Sequence, residues 1–379
     1  MKYLKAVIGA NFGDEGKGLM TDYFCSQAPP TEPVLNIRFN GGAQAGHTVV
    51  TPEGKRHIFS HFGSGSFLPN VATYLSEDFI INPILFRREY EKLQKIGVYP
   101  MVYVHPKCLL TFPQDMMINQ FCEKRRGENK HGSCGVGIFE TVLRSKKDSE
   151  ISAATLSVLG MKHYQIDIEY YSSERIEKIF GIGLTNDEKA LLVNQNIRAH
   201  FDQDVKFFMD HTIIHDERIF KHFNHLVFEG AQGLMLDQNN KEYFPHLTPS
   251  NTGIQNILQY LDGEIAAEIC YVTRPYLTRH GAGKLPNECP REMTGAKVDL
   301  TNHENEWQGE FRYGKLNVKE LQDRCEKDFA PLSGLAKMSY AVTHMDEALK
   351  SDLMPYSDDL YLSYGPTRDN VKKLFGDNI

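Results

Sequence analysis

Residues 13 to 18 read Gly-Asp-Glu-Gly-Lys-Gly, and a second glycine-bearing segment, Arg38 to Thr48, ends Gly46-His47-Thr48. Glycines let backbone N–H groups approach an anion, and a lysine among them neutralises phosphate charge. Gly13, Glu15, Gly16, Lys17, Gly18, Gly46, His47 and Thr48 are therefore expected to hold nucleotide phosphates. The pattern is not a Walker A loop, because Gly18 stands where Ser or Thr is required and Asn11 where the first glycine would fall. What sets it apart is Asp14. An acid inside a phosphate cradle can bind Mg²⁺ or act as a base toward a substrate beside the nucleotide. His47 can donate to a transferring phosphoryl oxygen. Alone, the first segment is equally a tight turn with a surface Asp-Glu pair; the two segments together favour phosphate chemistry.

These residues need a scaffold. The apolar run Leu4 to Ile8 reads as a buried strand, and helix-forming residues follow from about Leu19, so the loop between them ends at a helix N-terminus, where an anion is favoured. Further strand-like runs at 34–38, 71–74, 102–104, 226–229, 268–272, 339–343 and 360–363 alternate with helical stretches such as Pro83 to Lys95, where Leu85, Tyr90 and Leu93 define a buried face. The alternation predicts an α/β fold with a mostly parallel central sheet and flanking helices. Residues 1–379 form one large domain, in which about 110–222 is a mostly helical insertion and Asn287 to Val318 is long enough for a functional lid.

Composition sets outer limits. A hydrophobic content of 41% with mean hydropathy −0.41, and no apolar run approaching eighteen residues, exclude a helical membrane protein. Met1-Lys2-Tyr3 leads directly into a strand, so secretion is not expected and the cytoplasm (a host's, were the chain phage-encoded) is the expected location. A net charge of −7 argues against a general nucleic-acid surface; the basic clusters at Lys124-Arg125-Arg126 and Arg144-Ser145-Lys146-Lys147 read as solvated faces. Seven scattered cysteines without a Cys-x-x-Cys pair imply a reducing compartment and no zinc site.

The succession of motifs resembles the adenylosuccinate synthetases. To the two loops are added Phe228-Glu229-Gly230-Ala231-Gln232-Gly233, Leu236-Asp237, Thr248-Pro249-Ser250-Asn251-Thr252, Thr278-Arg279-His280-Gly281-Ala282-Gly283, Thr343-His344-Met345-Asp346 and Gly365-Pro366-Thr367-Arg368, in family order over nearly the whole chain. The resemblance implies a P-loop-NTPase-like fold and a ligase joining L-aspartate to C6 of a purine nucleoside monophosphate. It implies that Asp14 removes the N1 proton, that O6 attacks the γ-phosphate of a nucleoside triphosphate, that His47, Lys17 and Gln232 assist, and that aspartate then displaces phosphate. Mg²⁺ would sit near Asp14 and the backbone of Gly46. Asn40, Gln44, Ser133, Cys134, Arg144, Gln232 and Thr248 would bind the purine monophosphate, with Arg144 reaching across a homodimer interface. Gln308, Arg312 and Lys315 would bind aspartate. Asp346, with Gly365 and Pro366, would read guanine, because a carboxylate accepts from N1–H and the 2-amino group together.

Departures bear on the substrate. Gln44 replaces the family's asparagine, His131 to Ile138 replaces its Gly-Thr-Thr-Gly-Arg-Gly-Ile-Gly, His344 replaces lysine, and Asn305 to Leu316 keeps only Arg312 and Lys315 of an arginine-rich loop. A phage-type branch of the family makes 2-aminoadenylosuccinate from dGMP and carries Ser-Thr in place of Asp14-Glu15. A divergent, phage-like enzyme acting on dGMP is the expectation, with IMP the alternative and GTP or ATP the donor. A catalytically weakened nucleotide-binding protein, and a kinase or NTPase that needs no aspartate, are competing readings.

Overall fold

The structure is a computed structural model that describes residues 2–146, 152–155, 165–261, 265–298, 309–347 and 359–375. Among them the strands, in chain order, are β1 (Lys2–Gly9), β2 (Val34–Arg38), β3 (His47–Val50), β4 (Arg56–Phe59), β5 (Val71–Leu75), β6 (Val102–Val104), β7 (Ile213–Ile214), β8 (His225–Gly233), β9 (Ile265–Thr273), β10 (Tyr276–His280), β11 (Phe311–Lys315), β12 (Ala336–Val342), β13 (Asp359–Ser363) and β14 (Val371–Phe375). Ten of them form one sheet, ordered β14-β13-β12-β9-β1-β8-β2-β5-β6-β7 and parallel except for the antiparallel edge pair β13–β14. All eight expected strands are present, and the α/β reading holds.

The central strands are apolar on both faces because both are covered. Leu4, Ala6 and Ile8 of β1 join one core with Leu35, Ile37 and Phe228, whereas Val7 joins the opposite one with Met20 and Phe24 of α1 (Lys17–Ser26). In α2 (Pro83–Lys95), Asn82 caps the start by accepting from Leu85 N, and Pro83 takes a position where no N–H is required. Its buried stripe is Phe86, Glu89, Tyr90 and Leu93; Leu85, expected there, is only half-buried. The stripe is set one position on because Phe86 packs edge-on against Phe208, ring centroids 5.0 Å apart.

Residues 110–222 hold the helices α3 (Pro113–Arg126), α4 (Ile138–Ser145), α5 (Gln165–Phe180), α6 (Asn186–Leu192) and α7 (Gln195–Asp210), plus the short strand β7. A last helix, α8 (Val318–Phe329), precedes β12. Two ribbons lie outside the main sheet, β3–β4 and β10–β11. No helix among the described residues is long and apolar enough to cross a membrane.

Candidate active site

Functional loops leave the sheet at the carboxyl ends of β1, β2, β8, β9 and β12, where open parallel sheets place their ligands. Lys17 is the first residue of α1, behind Gly16 in the left-handed region (φ 92°). A Cβ at Gly16 would lie 2.9 Å from Thr343 Cγ2, and one at Gly9 only 2.5 Å from the carbonyl of Gln232. Glycine at both positions lets β12 and β8 close on the phosphate loop. Arg324 of α8 ties the loop down from outside, donating to the Ala10 carbonyl at 2.8 Å and to Asn11 Oδ1 at 2.7 Å.

Within the loop, Glu15 is buried. Its carboxylate accepts from the backbone of Asn11 (3.0 Å) and Gly13 (2.8 Å) and faces Lys17 Nζ at 3.0 Å. The side chain expected beside phosphates is therefore a brace for the loop; a carboxylate already accepting from the lysine has no place against an anion. Asp14 points the other way, about a quarter exposed, and burial raises its pKa above the ordinary carboxylate value despite the nearby His280 and Arg274. A raised pKa makes the carboxylate a better base near neutral pH. Arg274, at the end of β9, donates to the Asp14 carbonyl at 2.5 Å.

His47 opens β3, and its Nδ1 lies 2.5 Å from Glu229 Oε1. Although burial alone would raise it, Arg38, His47 and Ser64 hold Glu229 at a pKa of about 2, and burial lowers His47 to about 4. The acid is thus an anion and the imidazole neutral, which assigns the proton to Nδ1 and leaves Nε2 with a lone pair. Ser64 fixes the far side of Glu229 through its backbone N–H (2.9 Å) and hydroxyl. Glu229 lies within the Phe228 to Gly233 motif, yet the motif alone does not reveal its role; a buried acid at a strand's carboxyl end is the signal that could have found it.

One cleft of about 400 Å³ joins these parts. Gly13, Asp14, Gly16, Lys17, Gly18, Gly46, His47 and Thr48 line one end, and Asp346, Gly365 and Pro366 the other. Arg274 and Lys297 also line it, neither anticipated from sequence. Lys297 Nζ is 2.5 Å from Asp346 Oδ2, both groups well exposed. Beside the cleft, a Cβ at Gly41 would touch Gln232 Oε1 (3.2 Å) and Gln44 Nε2 (3.6 Å). The Oε1 atoms of both glutamines are buried without a hydrogen-bond partner, and Gln232 holds a left-handed backbone (φ 56°) that is strained for a residue with a Cβ.

The family model for adenylosuccinate synthetase matches residues 6–310. The chain belongs to this family, a group of carbon–nitrogen ligases. It is 29% identical over 369 residues to the adenylosuccinate synthetase of Thermus thermophilus, covering 92% of this chain and 84% of that one. It is 30% identical over 294 residues to the enzyme of Acaryochloris marina, covering 76% of this chain and 63% of the relative. Among solved structures, the succinoaminodeoxyadenylate synthetase of cyanophage S-2L, bound to dGMP and dATP, superposes with a TM-score of 0.63 at 16% identity, covering 98% of this chain and 95% of that one. The fully ligated adenylosuccinate synthetase of Plasmodium falciparum gives 0.63 at 19%, covering 98% and 87%. These two likenesses establish the fold.

Some residues assigned by family resemblance are occupied otherwise. The carboxamide of Asn40 donates to the carbonyls of Ala231 (3.2 Å) and Asn251 (2.8 Å) and accepts from Ala231 N (2.7 Å), so it joins two loops. Arg144 is buried, paired with Asp115 at 2.8 Å and bonded to the Leu110 carbonyl at 2.7 Å. It forms an internal ion pair with an acid of α3. Arg312 donates to the carbonyls of Gly281 (3.0 Å) and Gly283 (2.5 Å) and to Glu288. Lys315 does not join it. β11 puts the two on opposite faces, with Arg312 paired to Arg279 and Lys315 to Tyr276 at the far end of the ribbon. Gln308 lies outside the described residues.

Ser133 accepts from Asn119 Nδ2 at 2.8 Å, Thr248 N donates to Leu236 O at 2.9 Å, and burial pushes the Cys134 thiol up to about 11, which leaves it unreactive as a nucleophile. Arg279 shares a face with Arg312. Burial and that neighbour lower its pKa to about 10, so the adenylosuccinate synthetase ribbon carries two guanidiniums facing one side.

Proposed function

We propose that the chain condenses L-aspartate with C6 of a purine nucleoside monophosphate, driven by a nucleoside triphosphate, with a guanine monophosphate such as dGMP as the substrate and GTP as the donor. The observation that carries this reading is a carboxylate of raised pKa inside a phosphate cradle, in the same cleft as a histidine held by a buried acid.

The lactam oxygen of a 6-oxopurine leaves poorly. Asp14 takes the N1 proton, electron density moves to O6, and O6 forms a bond to the γ-phosphorus as the β,γ-bridging bond breaks. Lys17 and the N-terminus of α1 balance charge on the diphosphate. His47 lines the cleft with its ring oriented by Glu229 through Nδ1; as negative oxygen accumulates on the transferring group, Nε2 takes a proton from solvent water and donates to that oxygen, the imidazolium being stabilised by Glu229. The amine of aspartate then adds at C6, loses a proton, and phosphate departs with the original O6. Gln232 and Gln44 satisfy their orphaned oxygens on the purine nucleotide. Arg312, turning from the carbonyls it holds, supplies positive charge for a carboxylate of aspartate with Arg279 beside it on the ribbon, and Asp346 reads the donor's base.

A divalent ion fits the donor set. The Asp14 carboxylate and the Gly46 backbone are hard oxygen ligands, and phosphate oxygens in the cleft would complete the coordination. Mg²⁺ held there would screen charge on the β- and γ-phosphates.

Phosphate release is the test. Purified protein with Mg²⁺ and triphosphate is expected to release phosphate only when aspartate and one monophosphate are both present, with a succinyl-purine product by mass. Release without aspartate would support the NTPase reading instead, and none with any pair the binding-protein reading. Turnover of IMP far above dGMP would reject the guanine substrate.

A further inference from the structure

His280 ends β10 and takes no part in the phosphoryl transfer or the aspartate addition. Its Nε2 lies 3.8 Å from Asp14 Oδ2, its ring packs on Phe311 with centroids 4.6 Å apart, and its Nδ1 is buried without a hydrogen-bond partner. A buried polar atom left unsatisfied marks a place that a ligand or water must fill.

Its position relative to the cleft gives the ligand an orientation. Asp14 lines the nucleotide cleft and His280 does not. His280 leads instead into Gly281, where glycine-bearing segments converge: a Cβ at Gly132 would lie 3.6 Å from Ala282 N, and one at Gly281 3.5 Å from Gly309 N. A 6-oxopurine that gives its N1 proton to Asp14 must turn O6 toward the γ-phosphate, hence toward the cleft. The other neighbour of N1 is C2, which then faces away from the cleft, on the side where His280 stands.

We propose that His280 reads the substituent at C2 of the purine monophosphate. The unpartnered ring nitrogen offers a lone pair to the 2-amino group of a guanine monophosphate, whereas hypoxanthine presents only C–H at that position. His280 is then a specificity-determining residue that favours GMP or dGMP over IMP. This rests on the ligase reading and narrows its substrate class.

The experiment measures aspartate-dependent kcat/KM for GMP, dGMP and IMP in the wild type, His280→Ala and His280→Gln. The wild type is expected to prefer the guanine monophosphates. His280→Ala is expected to lower the guanine-to-hypoxanthine ratio by roughly tenfold, the value of one hydrogen bond in a partly desolvated site, and His280→Gln, which keeps an acceptor, to recover part of it. An unchanged ratio in His280→Ala, equal losses on both bases, or a wild type that prefers IMP would overturn the assignment. Calorimetric binding of GMP and IMP to the same three proteins reads the ratio without turnover. A ratio that shifts as expected in binding while aspartate-dependent turnover is absent supports His280 as the C2 reader and defeats only the ligase reading.

Discussion

At the phosphate end of the site the functional groups are already held by the protein: Lys17 by Gly13 and Glu15, and His47 by Glu229. At the purine end Gln44, Gln232 and His280 each carry a buried polar atom with no partner. Each orphan costs about 1–3 kcal/mol if left unpaired, and a ligand with matching groups relieves that cost. The phosphate end is thus organised for charge and is tolerant of the substrate, whereas the purine end is organised for discrimination. Chemistry resides mainly in the loops after β1 and β2, whereas specificity adds to Gln44 of the second loop the carboxyl ends of β8 and β10, where Gln232 and His280 lie.

The largest effect should come where the two ends meet. Asp14→Asn removes the base and is expected to lower kcat by about 10³-fold with the donor's KM little changed; a loss confined to the donor's KM would place Asp14 on the phosphates alone. Glu229→Gln leaves His47 without its anion and is expected to lower kcat by roughly 10²-fold, read by steady-state kinetics against both substrates. The same dyad sets an acid limit. His47 titrates at about 4 in the fold against an ordinary 6.5, so between those values the unfolded chain binds the additional proton and stability falls as the pH drops. The loss is on the order of 3 kcal/mol. His47→Gln should flatten the dependence of denaturant midpoints between pH 7 and pH 4.5, and an unchanged slope would show that burial does not keep the imidazole neutral.

Smaller effects test the base reader. Asp346→Ala is expected to raise the KM for GTP about tenfold and to erode preference over ATP. Lys297→Met should do the reverse by a few-fold, because the base no longer displaces a lysine, with little change in melting temperature for so exposed a pair. Equal shifts for GTP and ATP in Asp346→Ala would remove guanine reading from that carboxylate.

The sheet was legible because parallel strands covered on both faces carry short continuous apolar runs. The edge strand β14, Val-Lys-Lys-Leu-Phe, was not, since lysines at an exposed edge mask the pattern. Nor was the β10–β11 ribbon, whose strands lie far apart in sequence, so that Arg279 and Arg312 meet only through pairing. Motifs marked the candidate phosphate residues because each set is local to one loop, and both loops line the cleft. They did not reveal what Asn40 and Arg144 hold inside the protein, because what a polar side chain does depends on which partner reaches it, and the partners, Ala231, Asn251 and Asp115, come from other elements. The side-chain partners of Glu15 were hidden for a different reason: it turns back on its own loop, a geometry that spacing alone does not reveal.

Transfer of the purine oxygen is the step on which everything else depends. With the 6-oxo group of the monophosphate labelled with ¹⁸O, and Mg²⁺, triphosphate and aspartate present, the phosphate released should carry one ¹⁸O atom, because the C6–O bond breaks after O6 has bonded to phosphorus. Unlabelled phosphate would mean that water or another acceptor took the phosphoryl group, and would contradict Asp14 as the base that activates O6 and His47 as the group that stabilises its transfer.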